Sequence, residues 1–539
     1  MHTPPPFRIS LLTTGLLLLT ACGGGGGGGG GSTPPVPVPP TPGTSVVVSG
    51  KITFDSVPHN TTSNGLDYNS VTQKPARAVT VQALSSANAV LASTTTDANG
   101  NYSLTVNANT DMSLRVLAEM KKSGSAPNWD FMVVDNTSNG AEYSLAGATF
   151  NSGSANMTRD VNAPSGWNGT SYAAPRSAAP FAILDAVYQA YNKVLSAAPA
   201  TQFPALKLNW SVNNTPSDGN IGQGEIGTTY YENDQIYILG QANNDTDEYD
   251  DHVVIHEWGH YFEDNFSRAD SIGGQHSGAD KLDMRVAFGE GWGNAWSGIA
   301  TDDPMYRDSS GTSQSQGFSI NVDNNNPSNK GWYSEASIQA ILYDLYDAGT
   351  ESGDPVSLGF KPLYDIMTTS QKNTAALTSI FSLIPPLKSA NPAQGSAIDI
   401  LVTGQNIVST TMDIWGSTET NSGGNTDSLP VYVTYGNLGV AQSVCVNSSE
   451  GNYNKLGNNR PVRVTLPSDG DYTITLTRGF GGSDPDFEVY QGRLVAQAFS
   501  QAAPSESRQV TLKAGTAVVV VTEADSAVTG RICMNLTVN

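Results

Sequence analysis

The chain has 539 residues, 38% of them hydrophobic and only 14% charged, with 55 Gly and 30 Pro. That length points to about two to four domains rather than one core, and the low charge suits β-rich extracellular modules better than a helical cytosolic enzyme. A formal net charge of −22 argues against nucleic acid or an anionic membrane surface as a general partner, and its simplest role is solubility.

Residues 1–21 read as a targeting segment. Arg8 precedes a mostly apolar run over 11–19 that is too short to span a bilayer as a stable helix. The run ends in Leu19-Thr20-Ala21-Cys22, which resembles the lipobox of bacterial lipoproteins. The resemblance implies cleavage before Cys22 and lipid on its thiol. It places the protein in the cell envelope, anchored at the outer membrane or cell surface, or released from it. The alternative is an ordinary signal peptide with an incidental cysteine. Residues 22–44 form a tether, an unbroken glycine run over 23–31 followed by a Pro-rich stretch over 34–42, flexible first and semi-rigid second.

Over 45–162 the pattern is strands and turns. Val79-Thr80-Val81-Gln82-Ala83-Leu84 alternates in the manner of a half-buried strand, and Asp97-Ala98-Asn99-Gly100 is a turn leading into Ser103-Leu104-Thr105-Val106. The order V-x-G-x-I, A-V-x-V, D-x-N-G-x-Y-x-L resembles carboxypeptidase-regulatory-like β-sandwich modules, which implies a spacer or binding domain.

Residues 163–427 read differently. Helical spacing over 180–197 (Phe181, Leu184, Val187, Tyr191, Val194) precedes strand-like runs at 206–212 and 235–239. A polar acidic loop at 243–251 leads to a helix bearing histidines, and further helical patterns fall at 334–346, 362–367 and 397–408. From 428 to 539 the chain returns to strands. Its V-x-V-T-L-P-x-D-G-D-Y-T-I-T-L followed by D-P-D-F-E-V-Y resembles the pre-peptidase-type β-sandwich appended to many secreted bacterial peptidases. Cys445 and Cys533 flank this region; they pair in an oxidising compartment, or remain two buried thiols. No CxxC occurs, so a thiolate metal site is not expected.

Only six histidines occur, and four lie between 252 and 276. Among them stands His256-Glu257-Trp258-Gly259-His260, an HExxH pattern. Histidines at i and i+4 share one helical face, so both rings can reach one zinc, with Glu257 placed to take a proton from water beside the metal. Asp250 and Asp251 at the helix start complement the dipole. Val253, Val254, Trp258, Tyr261 and Phe262 offer apolar burial. The run 237–239 upstream suits the edge strand on which a peptidase lays its substrate. His252 is also four residues from His256, but Val253 follows it and supplies no base, so it reads as a polar residue near the helix start.

A hydrolytic zinc needs three protein ligands and an open position. The residues alone leave Glu263, His276, Glu290 or a nearby Asp for the third, although Glu263, seven residues past His256, sits far along the helix axis. Phe288-Gly289-Glu290-Gly291-Trp292-Gly293-Asn294-Ala295 reads as the start of a second helix whose small residues permit close approach. With HExxH, this "GEGW" context resembles the gluzincins, and among them the fungalysin and thermolysin-like group. The resemblance implies His256, His260 and Glu290 as zinc ligands and Glu257 as general base. It also implies an α+β zincin core, with a mixed sheet, the HExxH helix and a mainly helical second lobe, flanked by the two all-β sandwiches.

Two departures stand out. Where gluzincins often carry Asp four residues after the glutamate ligand, this chain has Asn294, which accepts a hydrogen bond but adds no charge. No histidine follows His276, so the oxyanion-stabilising position falls near Tyr333, whose hydroxyl is the candidate donor; a packing tyrosine is the alternative. His276 itself is read as a structural hydrogen-bonder or substrate contact. The stretches 243–248 and 321–326 cluster oxygens that calcium would accept, without EF-hand spacing, and a solvated loop is the preferred reading of each. The expected function is a zinc metalloendopeptidase acting on extracellular protein or peptide. The competing expectation is a surface-anchored binding or adhesion lipoprotein with a vestigial peptidase domain.

Overall fold

The computed structural model describes residues 45–539 apart from 325, 350–353, 480–481 and 502. The targeting segment, Cys22 and the tether lie outside the described residues. The chain is mixed: several β-sheets with helices between them and β-sandwich-like parts.

The first sheet is built around the long strand Ser45–Ser56, antiparallel to Asn101–Asn107 and Thr72–Pro75 and parallel to the short strands Met157–Thr158 and Val161–Ala163. Asn101–Asn107 buries every second residue. It is launched by the expected turn: Asp97 Oδ1 accepts from the backbone N of Asn99 and Asn101, both at 2.8 Å, and Gly100 takes φ +78, which few other residues tolerate.

The second sheet has ten strands. Its main path runs Tyr230–Glu232, Gln235–Ile238, Leu206–Trp210, Trp129–Asp135, Asp111–Lys122, Val79–Ser85 and Val90–Thr95. The sequence division at 162/163 is therefore not a break in the structure, because Leu206–Trp210 lies parallel to Trp129–Asp135 with Leu206 opposite Phe131. Parallel neighbours need a crossover, and helix α1 (Ala179–Ala197) lies in that connection. It buries Phe181, Leu184, Val187, Tyr191 and Val194, and Tyr191 packs on Phe131 at a ring separation of 5.6 Å. Arg77 Nε to Asp185 Oδ1 at 2.6 Å joins the N-terminal strands to α1. One hydrophobic core spans both regions. The sheet's edge near the histidines is Tyr230–Glu232; the run 237–239 expected there contributes instead to Gln235–Ile238, an interior strand covered by its antiparallel neighbour.

Helices α2 (Asp251–Phe266) and α3 (Met284–Thr301) pack against each other and are buried along nearly their whole length. Trp258, Phe262, Trp292 and Trp296 form an aromatic layer between them, with Trp296 at 5.6 Å from Trp258, 5.6 Å from Trp292 and 5.8 Å from Phe262. Each such side chain contributes about 1.5–3 kcal/mol by burial. A hairpin, Met305–Ser310 with Gln316–Asn321, follows. Then come α4 (Glu335–Tyr346), capped by Ser334 Oγ accepting from Ser337 N, α5 (Phe360–Ile366), α6 (Ile380–Ala390) and α7 (Gly395–Gly404). Helix α6 has no counterpart in the sequence expectations; Pro385 and Pro386 sit inside it and hide it from any propensity argument.

The C-terminal part is a sandwich of a five- and a four-stranded sheet with its own core. Cys445 and Cys533 face each other on adjacent strands and are disulfide-bonded. The sandwich docks on α3 through Arg285. This buried guanidinium pairs with Asp283 at 3.0 Å and Glu488 at 2.9 Å and donates to the Tyr490 hydroxyl at 3.1 Å. Among the described residues no helix is long and apolar enough to cross a membrane.

Candidate metal centre

Helix α2 presents His256 and His260 toward α3, and α3 presents Glu290 toward both. His260 Nε2 lies 3.2 Å from His256 Nε2, and Glu290 Oε2 lies 3.3 Å from His256 Nε2 and 3.7 Å from His260 Nε2. Three ligands at zinc's usual bond lengths in a tetrahedral site stand about 3.3–3.6 Å apart, so the trio fits that ion.

The outer bonds of the rings support the same fit. His256 Nδ1 bonds Asn294 Oδ1 at 2.9 Å, and the Asn294 amide donates to Gln339 Oε1 at 2.9 Å on α4. His260 Nδ1 meets Glu263 Oε2 at 3.4 Å. With Nδ1–H directed outward in both rings, each Nε2 turns a lone pair inward beside a carboxylate. Three electron-rich atoms in contact suit a cation between them. Glu263 thus belongs to the centre as the partner of His260, a role its distance along the helix concealed.

The approach of the helices depends on glycine. A Cβ on Gly293 would stand 2.7 Å from His256 Cε1 and 2.8 Å from its Nδ1 and Nε2, and one on Gly259 would lie 3.2 Å from Gly293 Cα. Trp292 Nε1 donates to Gly259 O at 3.1 Å and closes the contact.

Glu257 is buried beside the trio, and its Oε2 accepts from Tyr231 N, on the edge strand Tyr230–Glu232, at 2.9 Å. Burial pushes its carboxyl up, and the neighbouring His256 and His260 pull part of the way back. Burial acts the same way on Glu290, but its close contacts with the imidazoles of His256, His260 and His276 hold its carboxyl well below the usual range.

The other sequence candidates fall as follows. His252 Nδ1 bonds Ser297 Oγ at 3.0 Å, and its Nε2 lies 3.9 Å from Asp303 Oδ2. His276 comes to the centre: its Nε2 is 3.3 Å from Glu290 Oε2 and 3.5 Å from Glu335 Oε2, and its Nδ1 donates to Gly274 O at 3.0 Å. Burial disfavours its charge, but the two carboxylates outweigh that and raise its pKa to about 9. Tyr333 is not brought to the trio. Its hydroxyl bonds Lys330 O at 3.1 Å and Asn421 Oδ1 at 3.2 Å, and its ring packs on Trp332. Tyr306, which nothing in the sequence marked, is buried with its ring 6.3 Å from that of His256. Of the two oxygen-rich stretches, the described residues of 321–326 use the Asn321 and Asn324 side-chain oxygens to accept from Asp323 N and Asn326 N. The other, 243–248, contributes Asp245 and Asp247 to a carboxylate cluster with Asp308.

Among solved structures, the pre-peptidase C-terminal domain of a collagenase from Bacillus anthracis aligns at 12% identity and TM-score 0.17, covering 20% of this chain and 94% of that one. PliG of Aeromonas hydrophila, a periplasmic inhibitor of g-type lysozyme, aligns at 13% identity and TM-score 0.15, covering 20% and 96%. A 9R-lipoxygenase from Cyanothece aligns at 11% and 0.15, covering 31% and 25%. Scores this low carry no argument about the fold. No curated protein matches the chain. Residues 191–402, which hold the trio, Glu257 and Asn294, match the family model of the Mycolysin C-terminal domain, and that match marks the protein as peptidase-related.

Proposed function

We propose that the chain is a secreted, lipid-anchored zinc peptidase of the gluzincin type that hydrolyses peptide bonds of extracellular proteins or peptides. The observation that carries this reading is the convergence of His256 Nε2, His260 Nε2 and Glu290 Oε2 at separations of 3.2, 3.3 and 3.7 Å, with Glu257 buried beside them. The match of 191–402 to a peptidase-associated family model supports it independently. Zinc held by the trio would supply a Lewis acid that makes water nucleophilic near neutral pH and polarises the scissile carbonyl.

The chain's own groups do the rest. Glu257 accepts the proton of the attacking water and returns it to the leaving amine; Tyr231 N orients its carboxylate. An extended substrate lies along the edge strand Tyr230–Glu232, where backbone pairing is available. The oxyanion donor in this reading is His276 rather than Tyr333. With Nδ1 donating to Gly274 O and Nε2 facing two carboxylates, the ring carries both protons, and its Nε2–H, 3.3 Å from Glu290 Oε2, is a donor at the trio. The uncharged Asn294 favours the competing reading of a binding lipoprotein with a vestigial centre, yet its oxygen keeps the hydrogen bond to His256 at 2.9 Å.

The test is zinc stoichiometry and casein hydrolysis by the parent and by Glu257→Gln. One zinc in both, with hydrolysis in the parent alone, supports the peptidase and the role of Glu257. No zinc in either rejects the reading and promotes the binding protein.

A further inference from the structure

Beside the start of α2, three carboxylates from two neighbouring strands meet. Asp245 lies on Asp245–Thr246, Asp247 follows it, and Asp308 lies on Met305–Ser310, whose Ser310 is opposite Asp245. One oxygen of each is within 4.8 Å of the others. Asp247 is 3% exposed. Its Oδ2 accepts from Thr229 Oγ1, but its Oδ1 is buried without any hydrogen-bond donor, and so is Asp245 Oδ1. A buried carboxylate oxygen in that condition is costly and calls for a partner.

The protein's own cations are committed elsewhere. Arg176 pairs with Glu248 at 2.8 Å and Arg307 with Asp303 at 3.6 Å. Burial above all, and then the charges of one another and of Asp250, push Asp245 up to about 6 and Asp308 up to about 8, while a hydrogen bond with Asp247 and the Thr246 backbone pull Asp245 part of the way back. Asp250 is itself satisfied, by His59 Nε2 at 2.9 Å, Ser309 N at 2.8 Å and Ser309 Oγ.

We propose that Asp245, Asp247 and Asp308 form a calcium site separate from the His256–His260–Glu290 centre. An oxygen-only ligand set suits a hard cation rather than a transition metal. Two calcium–oxygen bonds span about 4.6–5.2 Å, and calcium accepts irregular geometry and completes its shell with water. The ion ties the Asp245–Thr246 strand to Met305–Ser310 next to the N-terminus of α2. Tyr306, two residues before Asp308, is the ring that lies against His256, so the site braces one wall of the metal centre.

The experiment uses the zinc-loaded full chain carrying Glu257→Gln, which prevents self-digestion. Calcium is titrated by calorimetry, and terbium is titrated by luminescence sensitised through Tyr306. The expected result is one calcium equivalent, bound with a dissociation constant of about 1 mM or tighter. It is kept when His256→Ala removes zinc, and weakened at least about tenfold in both Asp247→Asn and Asp308→Asn. Calcium also raises the melting temperature of the parent more than that of either variant, a readout that survives if one variant folds poorly. Absence of saturable binding, binding abolished by His256→Ala, or binding unchanged in both aspartate variants overturns the site.

Discussion

Replacing Gly293 by alanine adds one methyl group and tests the geometry of the metal centre directly. The new Cβ would stand 2.7–2.8 Å from three atoms of the His256 ring, where ordinary carbon contacts fall at about 3.5–4.0 Å. Either the ring retreats by about 0.7 Å or more, or α3 moves off α2. The second route is opposed by the Gly259–Gly293 approach, the Trp292–Gly259 hydrogen bond and the aromatic layer. Ligand positions tolerate only about 0.2 Å. Zinc affinity should therefore fall by about 100-fold or more, and hydrolysis by about the same factor. Global stability should change little, because alanine's helical advantage of about 1 kcal/mol offsets part of the clash. The control is Gly395→Ala in α7, where a Cβ meets nothing within 4 Å and zinc binding should not change. The assay is competition for zinc against a chromogenic chelator, with circular dichroism to verify the fold. A folded Gly293→Ala protein that holds zinc with parental affinity would refute the reasoning.

Asn294→Ala removes the acceptor on His256 Nδ1 and should weaken zinc by about 10–100-fold, whereas Asn294→Asp should bind at least as tightly as the parent; the same competition assay reads both. Arg285→Ala leaves Asp283 and Glu488 uncompensated at the docking surface of the C-terminal sandwich and should cost about 3–5 kcal/mol in denaturant unfolding. Cys445→Ser opens a cross-link spanning 88 residues and should destabilise the C-terminal sandwich by about 2–4 kcal/mol, with the parent under reducing conditions melting alike. In chelator, the carboxyls of Asp245 and Asp308 are held above their unfolded values. The folded state then binds more protons than the unfolded one, and this cluster's contribution to stability is lost as pH rises from about 4 through the folded values of about 6 and 8. Asp308→Asn should accordingly gain stability relative to the parent over that range, and added calcium should erase the difference, both measured by thermal melts at several pH values.

The grouping of His256, His260 and Glu290 is legible in the sequence because its parts are local. An i, i+4 histidine pair needs only a helix, and the glycines around Glu290 signal helix contact within a few residues. What escaped is what depends on distant chain. Glu263 reads from its spacing only as a ligand too far along the helix, and its contact with His260 Nδ1 depends on ring orientation. His276 reaches Glu290 from an irregular loop that carries no periodicity. Asp308 joins Asp245 and Asp247 only because two strands meet. The continuity of the ten-stranded sheet across residue 162 rests on Leu206 lying beside Phe131, a parallel pairing with no local signature. Tyr333 stands immediately before α4, as the sequence places it, but its hydroxyl is taken up by Lys330 O and Asn421 Oδ1, a partner 88 positions away with no local signal.

The loop bearing His276 is shaped from the far end of the chain. Tyr453 Oη donates to Ile272 O at 2.7 Å, Asn454 Nδ2 to Gly273 O at 2.9 Å, and Lys455 Nζ to Gln275 O at 2.7 Å, and a Cβ on Gly274 would press within 2.5 Å of the Tyr453 ring. Tyr453 and Ile272 are 181 positions apart. His256, His260 and Glu290 stand on α2 and α3, whereas the loop bearing His276 takes these contacts from residues beyond 427. A chain whose residues beyond 427 are missing, clipped or not yet folded would therefore lack the contacts that shape the loop of His276, so the C-terminal sandwich helps to build the candidate site as well as packing beside it.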